Sequence, residues 1–307
     1  MNPPSGYLTT SNEMNLPAGY PNAIRKLGFE WEEPWRHIRI DGVLGSLKVV
    51  SLDDSLKLQN DVVSLPAQRL KPVLEQLQAP AGDAARALAL LKDWDGALEG
   101  RSGAAALYEV WMLHHAGKAV KELLVPKAAT AFDAADIDVV VYFLERPRQW
   151  LKRGAEAKRD ALLLATLAAA WRETTARLGA DSAAWRWDEL HHNLTEHPLS
   201  AALDAAERAS WGVGPLPKGG DGFVPNMSWV SEPDFRQTSG PSIRLVMDVG
   251  HWDESRAMNF PGQSGDPRDP HYRDLAGPWL RGEYFPLLFS RAAVERSAAR
   301  TIRLIPR

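Results

Sequence analysis

Through the middle of the chain, apolar residues recur at the three- and four-residue spacing that gathers them on one face of a helix. Residues 35–47 carry Ile40, Val43, Leu44 and Leu47 in that spacing and predict a helix. Ser51 followed by Asp53 and Asp54 reads as a second helix start, the acids complementing the positive end of the helix dipole. That helix is predicted to run to about Leu77, bent or interrupted at Pro66 and Pro72. Three better-punctuated helices follow: 83–94, ending at Asp95-Gly96; 103–124, ending before Pro126; and 160–178, ending at Gly179. In the last of these, Leu164, Leu167, Trp171 and Leu178 share a face.

The two ends are patterned differently. Gly6-Tyr7-Leu8-Thr9-Thr10-Ser11 has strand-type residues, and 12–22 is rich in Asn, Pro and Gly and reads as a long turn. Residues 212–241 are dense in Gly, Pro, Asp and Ser, predicting loops with short strands. The best strand is 242–249; 257–270 reads as a long loop and 291–299 as a closing helix. The pattern is that of an α+β chain: a strand, turn and helix over 1–50, a helical region over 51–210, and a loop-rich β region over 211–307.

Composition narrows the function classes. At roughly 150 residues per domain, 307 residues make one large domain or two ordinary ones, with ample core. The 45% hydrophobic and 24% charged residues are ordinary globular values. A formal net charge of -3 leaves no basic field for nucleic acid. The most apolar stretch, 161–171, is about half the length needed to cross a bilayer, and no signal peptide is visible. With no cysteine, disulfides, thiolate metal sites and a cysteine nucleophile are excluded.

His114-His115, and His191-His192 with His197, invite a metal reading, but the His-Glu-x-x-His spacing of zinc proteases is absent, so core or cap hydrogen bonding is the expectation. Asp133, Asp136 and Asp138 lack the glycine and terminal glutamate of a calcium loop and read as a solvated acidic surface. Gly219-Gly220-Asp221-Gly222 and Gly262-Gln263-Ser264-Gly265 lack the Gly-Lys-Ser/Thr ending of a phosphate loop, and there is no Gly-x-Ser-x-Gly elbow.

Taken in order, several segments resemble the penicillin acylase (penicillin amidase) family of N-terminal-nucleophile hydrolases. They are Gly6-Tyr7-Leu8-Thr9-Thr10-Ser11-Asn12 with Tyr20-Pro21, Trp35-Arg36-His37-Ile38-Arg39-Ile40, Gln59-Asn60-Asp61-Val62-Val63-Ser64 and Trp94-Asp95-Gly96. Trp187-Asp188-Glu189-Leu190-His191 and His197-Pro198-Leu199 follow, and the strongest block is Ser242-Ile243-Arg244 to Asp248, then Gly262 to Pro267 and Pro270-His271-Tyr272. The resemblance implies the αββα fold, of which this chain would be a single partial domain, 1–307, from the C-terminal part of the large chain. It also implies amide hydrolysis without a redox cofactor, by a serine at the start of the large chain whose own α-amino group is the base. The family's oxyanion-stabilising asparagine matches Asn12, and the arginine that supports it matches Arg36, with Arg39 one turn on. Gln59, Asp61 and His271 match positions that hold loops by hydrogen bonds. Trp31 and Trp35 suit an acyl pocket or, better, the core.

Three departures qualify the resemblance. The chain begins Met1-Asn2, without a hydroxyl or thiol nucleophile, whereas Arg300 to Arg307 matches the usual final strand. Glu13 replaces the second asparagine of the family's frequent Asn-Asn pair and is expected to point outward, away from developing negative charge. Some members bind calcium just after Tyr-Pro, but Asn22-Ala23-Ile24 offers no carboxylate. The expected partners are therefore a small-molecule N-acyl amide, as in β-lactam side chains or acyl-homoserine lactones, plus the upstream large-chain segment and the small chain, with a periplasmic address following from relatives and a cytoplasmic one as the alternative. The alternative is a truncated, inactive remnant serving as a binding or scaffold module. Such a fragment alone should expose apolar faces, because the family's sandwich draws strands from both chains.

Overall fold

The computed structural model describes residues 2–28, 30–79, 81–128, 130–131 and 133–306. Contacts divide the chain into two compact units, one of Met1–Lys48, Asp61–Leu194 and Gly214–Gly240, the other of Val49–Asn60, Thr195–Val213 and Pro241–Arg307. In chain order the larger helices are α1 (Trp35–Ser46), α2 (Leu52–Gln59), α3 (Leu65–Gln76), α4 (Asp83–Lys92), α5 (Gly103–Val110), α6 (Gly117–Leu124), α7 (Ile137–Glu145), α8 (Pro147–Trp150) and α9 (Ala155–Leu178).

In the first unit, α9 is the central helix, packed on α4 and on the run from α5 to α6. Leu163, Leu167, Ala170 and Trp171 of α9 are buried against a core that includes Leu88, Leu91, Leu107 and Trp111. The helix begins at Ala155, earlier than the apolar spacing predicts, because Gly154 takes the left-handed conformation (φ 61°) that turns the chain into it. Between α5 and α6 the helix continues through a wide π turn, Trp111–Ala116. One extra residue in that turn brings two consecutive histidines onto one acceptor: His114 Nδ1 lies 2.7 Å from Glu173 Oε1, and His115 Nε2 2.8 Å from Oε2.

The single helix predicted from 51 to about 77 is two. Its first half, α2, ends at Gln59; Ser64 then starts α3, its hydroxyl accepting from Ala67 N. Pro66 sits in the first turn of α3, where a missing N–H costs nothing, and Pro72 lies within the helix. Four short strands complete this part: β1 (His192–Thr195), β2 (Val213–Pro217), β3 (Trp229–Val230) and β4 (Gln237–Ser239), in the order β2-β1-β4-β3. The N-terminal stretch at 6–11, predicted as a strand, pairs with no strand among the described residues; its side chains bond to α1 instead.

α1 is fixed by its first residue. Trp35 is 1% exposed, near Tyr142 of α7 (6.4 Å between rings), with the Arg69 guanidinium over both rings. Arg69 is itself held by both oxygens of Glu145.

In the second unit, α2 carries the predicted start as a capping box: Ser51 Oγ accepts from Asp54 N while Asp54 accepts from Ser51 N. The strands β5 (Ile243–Val246), β6 (Arg256–Asn259) and β7 (Phe285–Pro286) form an antiparallel sheet in that order. β6 occupies what reads as loop, because buried Ala257 and Met258 pair with Leu245 and Arg244. Gln59 Nε2 donates to Leu245 O (2.9 Å). Among the described residues β5 is an edge strand that buries Arg244 and Val246 and leaves Ile243, Leu245 and, beyond it, Met247 exposed. The closing helix, Arg291–Ser297, forms, but 300–306 are irregular rather than a final strand.

If Trp35 anchors α1, Trp35→Ala should destabilise the protein by about 3–5 kcal/mol, read as a lowered urea midpoint. A loss below about 1 kcal/mol would show that α1 is held by other contacts.

Candidate active site

From Tyr7 to Thr9 the N-terminal segment runs back along α1 in step with its turns, and it then bends at Asn12. Tyr7 Oη donates to Asp41 O (3.1 Å), Thr9 Oγ1 lies 2.9 Å from His37 Nδ1, and Arg36 Nη2 donates to Asn12 Oδ1 (3.1 Å). Two residues of extended chain cover roughly 6.6 Å and one helical turn roughly 5.4 Å, so such a segment keeps step with residues four apart on a helix. Glu32 N, just before α1, donates to Asn12 O (3.1 Å) and closes the turn.

Asn12 itself is left-handed (φ 73°). For a non-glycine residue that conformation costs on the order of 1–3 kcal/mol, least for Asn, and it persists only where surrounding contacts over-determine it. Ser11 and Glu13 are buried on either side while Asn12 is exposed, so the turn presents one side chain outward. Arg36 can only donate, so it must meet the amide oxygen, and Asn12 Nδ2 with its two hydrogens is left as a free-standing donor.

Glu13 does not point outward. Its carboxylate turns back into the segment, accepting from Ser11 N (2.6 Å) and Ser11 Oγ (3.1 Å) and facing His37 Nδ1 at 3.1 Å. Burial pushes this carboxyl up, but the Ser11 hydrogen bonds and His37 outweigh it and hold the group below its ordinary value of 4.5. The physical reason for the correction is local: the buried N–H of Ser11 needs an acceptor, and Glu13 is the one within reach.

Ser11, Thr9, His37 and Glu13 are the residue types of a hydrolytic triad, but their arrangement is not one. Ser11 is buried and its hydroxyl goes to a carboxylate rather than to an imidazole. Thr9 and Glu13 both face the same nitrogen of His37, so the ring cannot take a proton from one on one side while being oriented by the other on the far side. Thr9, Glu13, Glu32 and His37, with Met14 and Leu16, line an open cleft of about 460 Å³.

The other candidates are structural. Arg39 forks onto Asp61 (3.0 and 2.5 Å), bracing α1 rather than joining Asn12. Trp35 is core and Trp31 is 38% exposed. His271 Nδ1 pairs with Asp274 at 2.8 Å. His191 is stacked on Trp187, donating to Phe235 O and accepting from Ser228, and burial lowers its pKa to about 4. The stretch after Tyr20-Pro21 does not fit calcium: Asn22 is its sole side-chain oxygen, and no described residues form a group of three or more His, Asp or Glu ligands. The sequence reading missed Glu109 and Asp221, a buried acid pair in the same unit, where burial raises both carboxyls above their ordinary range.

The sequence profile of the penicillin amidase family matches residues 1–296. The chain belongs to the penicillin amidase family. Among its relatives, the acyl-homoserine lactone acylase QuiP of Pseudomonas putida is 32% identical over 93% of this chain and 37% of its own length. The QuiP of Pseudomonas aeruginosa is 28% identical over 96% of this chain and 39% of its own. Penicillin acylase 2 proenzyme of a Pseudomonas species is 28% identical over all of this chain and 39% of its own. The chain thus spans less than half the length of these family members. The solved thermostable penicillin G acylase of Alcaligenes faecalis superposes over the whole chain and 58% of its own, with a TM-score of 0.57 at 17% identity, and so shares the fold. The α+β architecture is that of the family. No described helix is long and apolar enough to cross a membrane.

Because the folded pKa of Glu13 is depressed, its contribution is present above the ordinary carboxyl value and is lost as pH falls through the folded value. Protection of the Ser11 amide from hydrogen exchange should therefore persist at pH 5 and be lost in acid below the ordinary carboxyl range, a transition that Glu13→Gln abolishes. An acid transition that survives Glu13→Gln would assign it to another group.

Proposed function

We propose that this chain is part of an N-acyl amide hydrolase, to which it contributes Asn12 as an oxyanion donor and Arg36 as that donor's support. The observation that carries the reading is the hydrogen bond from Arg36 to Asn12 Oδ1 on an exposed, left-handed turn. In amide hydrolysis a nucleophile adds to the carbonyl carbon and negative charge develops on the carbonyl oxygen. A donor already held in place stabilises that charge without reorganising in the transition state, and the Arg36 charge behind the amide strengthens it.

On this reading the nucleophile is a serine at the start of a segment outside this chain, its α-amino group acting as base. The bonding of Thr9 and Ser11 supports an outside source, since Ser11 is buried on a carboxylate and the His37 nitrogen beside Thr9 also faces Glu13. The companions are the upstream part of the large chain and the small chain, and the address is periplasmic by analogy with the family. The substrate is an N-acyl amide; the relatives' names favour acyl-homoserine lactones or β-lactam side chains.

In the assembled enzyme, Asn12→Ala should lower kcat by about 10²-fold, close to 3 kcal/mol, with little change in KM. Near-normal turnover would remove Asn12 from the mechanism. The exposed apolar face of β5 also suits a second reading, an inert binding or scaffold module. Absence of any acyl-amide hydrolysis by the assembled protein would favour that reading.

A further inference from the structure

We propose that Glu13 is a positioning residue for the oxyanion donor, its carboxylate locking the left-handed turn that presents Asn12. The proposal rests on the reading of Asn12 as that donor. Glu13 reaches back across Asn12 to the Ser11 amide and hydroxyl, closing a side-chain-to-backbone ring around the one residue that must stay left-handed. Its other oxygen faces His37, which follows Arg36 on α1.

Two consecutive side chains of one helix therefore grip two consecutive residues of the turn. Arg36 takes Asn12 Oδ1 and sets which end of the amide faces out; His37 faces Glu13, which sets the backbone beneath it. The two grips do different jobs, and neither substitutes for the other. Without the carboxylate, the Ser11 N–H loses its acceptor and Asn12 is released toward ordinary backbone conformations, carrying Oδ1 off Arg36. A negative charge next to an oxyanion donor would ordinarily oppose catalysis. Here it is turned away from the exposed side of the turn and spent on Ser11 and His37, which explains how a carboxylate is tolerated at this position.

The test is a double-mutant cycle in the assembled enzyme, hydrolysing an N-acyl p-nitroanilide, together with amide NMR of Ser11. Glu13→Ala should lower kcat about tenfold at nearly unchanged KM, and Glu13→Gln, which keeps an acceptor for Ser11 N–H, should recover part of that loss. In an Asn12→Ala background, Glu13→Ala should cost nothing further, because a residue acting through Asn12 has nothing left to position. The Ser11 amide should be shifted downfield and protected from exchange in the parent chain and lose both properties in Glu13→Ala. An equal loss of kcat in both backgrounds, an unchanged kcat in Glu13→Ala, or an unaltered Ser11 amide would overturn the positioning role. Unchanged turnover in Asn12→Ala alone would instead overturn the oxyanion reading beneath it.

Discussion

The candidate site depends on one contact, the hydrogen bond from Arg36 to the amide oxygen of Asn12. It decides which end of a near-symmetric side chain faces out, and so whether the turn offers a donor or an acceptor. Arg36 can hold that position because Trp35, the residue before it, is buried beside Tyr142 under the Arg69 guanidinium. Precision at the turn is thus borrowed from the helical core. An exposed segment with no strand partners of its own is held in place by a helix that cannot roll.

The same logic explains why the turn tolerates an unfavourable backbone conformation. Asn12 is constrained from three sides: Arg36 on its side chain, Glu32 N on its carbonyl, and Glu13 bridging to Ser11 across its backbone. Local strain of this kind persists where contacts over-determine it, and a side chain so constrained has little freedom left to lose.

Much of this was legible in the sequence. The helical spacing at 35–47, the stop at Gly179 and the Ser51 cap appear as α1, the end of α9 and the capping box of α2. Asn12 and Arg36 stand together as the family resemblance implies, although 24 positions separate them and no periodicity links a turn to a helix that far away. What sequence reasoning missed was non-local pairing. β6 has no alternation to show, since Ala257 and Met258 are both buried, and the strand at 6–11 failed because its hydroxyls bond to α1. The inward turn of Glu13 is invisible for the opposite reason: nothing in the sequence shows that the Ser11 N–H two residues back takes its carboxylate. The π turn beneath His114 and His115 likewise leaves no mark in composition.

The central claim is tested most directly by a crystal structure of the assembled enzyme with a tetrahedral phosphonate analogue of the acyl-transfer intermediate. The account predicts Asn12 Nδ2 about 2.7–3.1 Å from the oxyanion mimic, with Arg36 still on Oδ1. An analogue bound away from the turn, or an Asn12 flipped with Arg36 released, would contradict it.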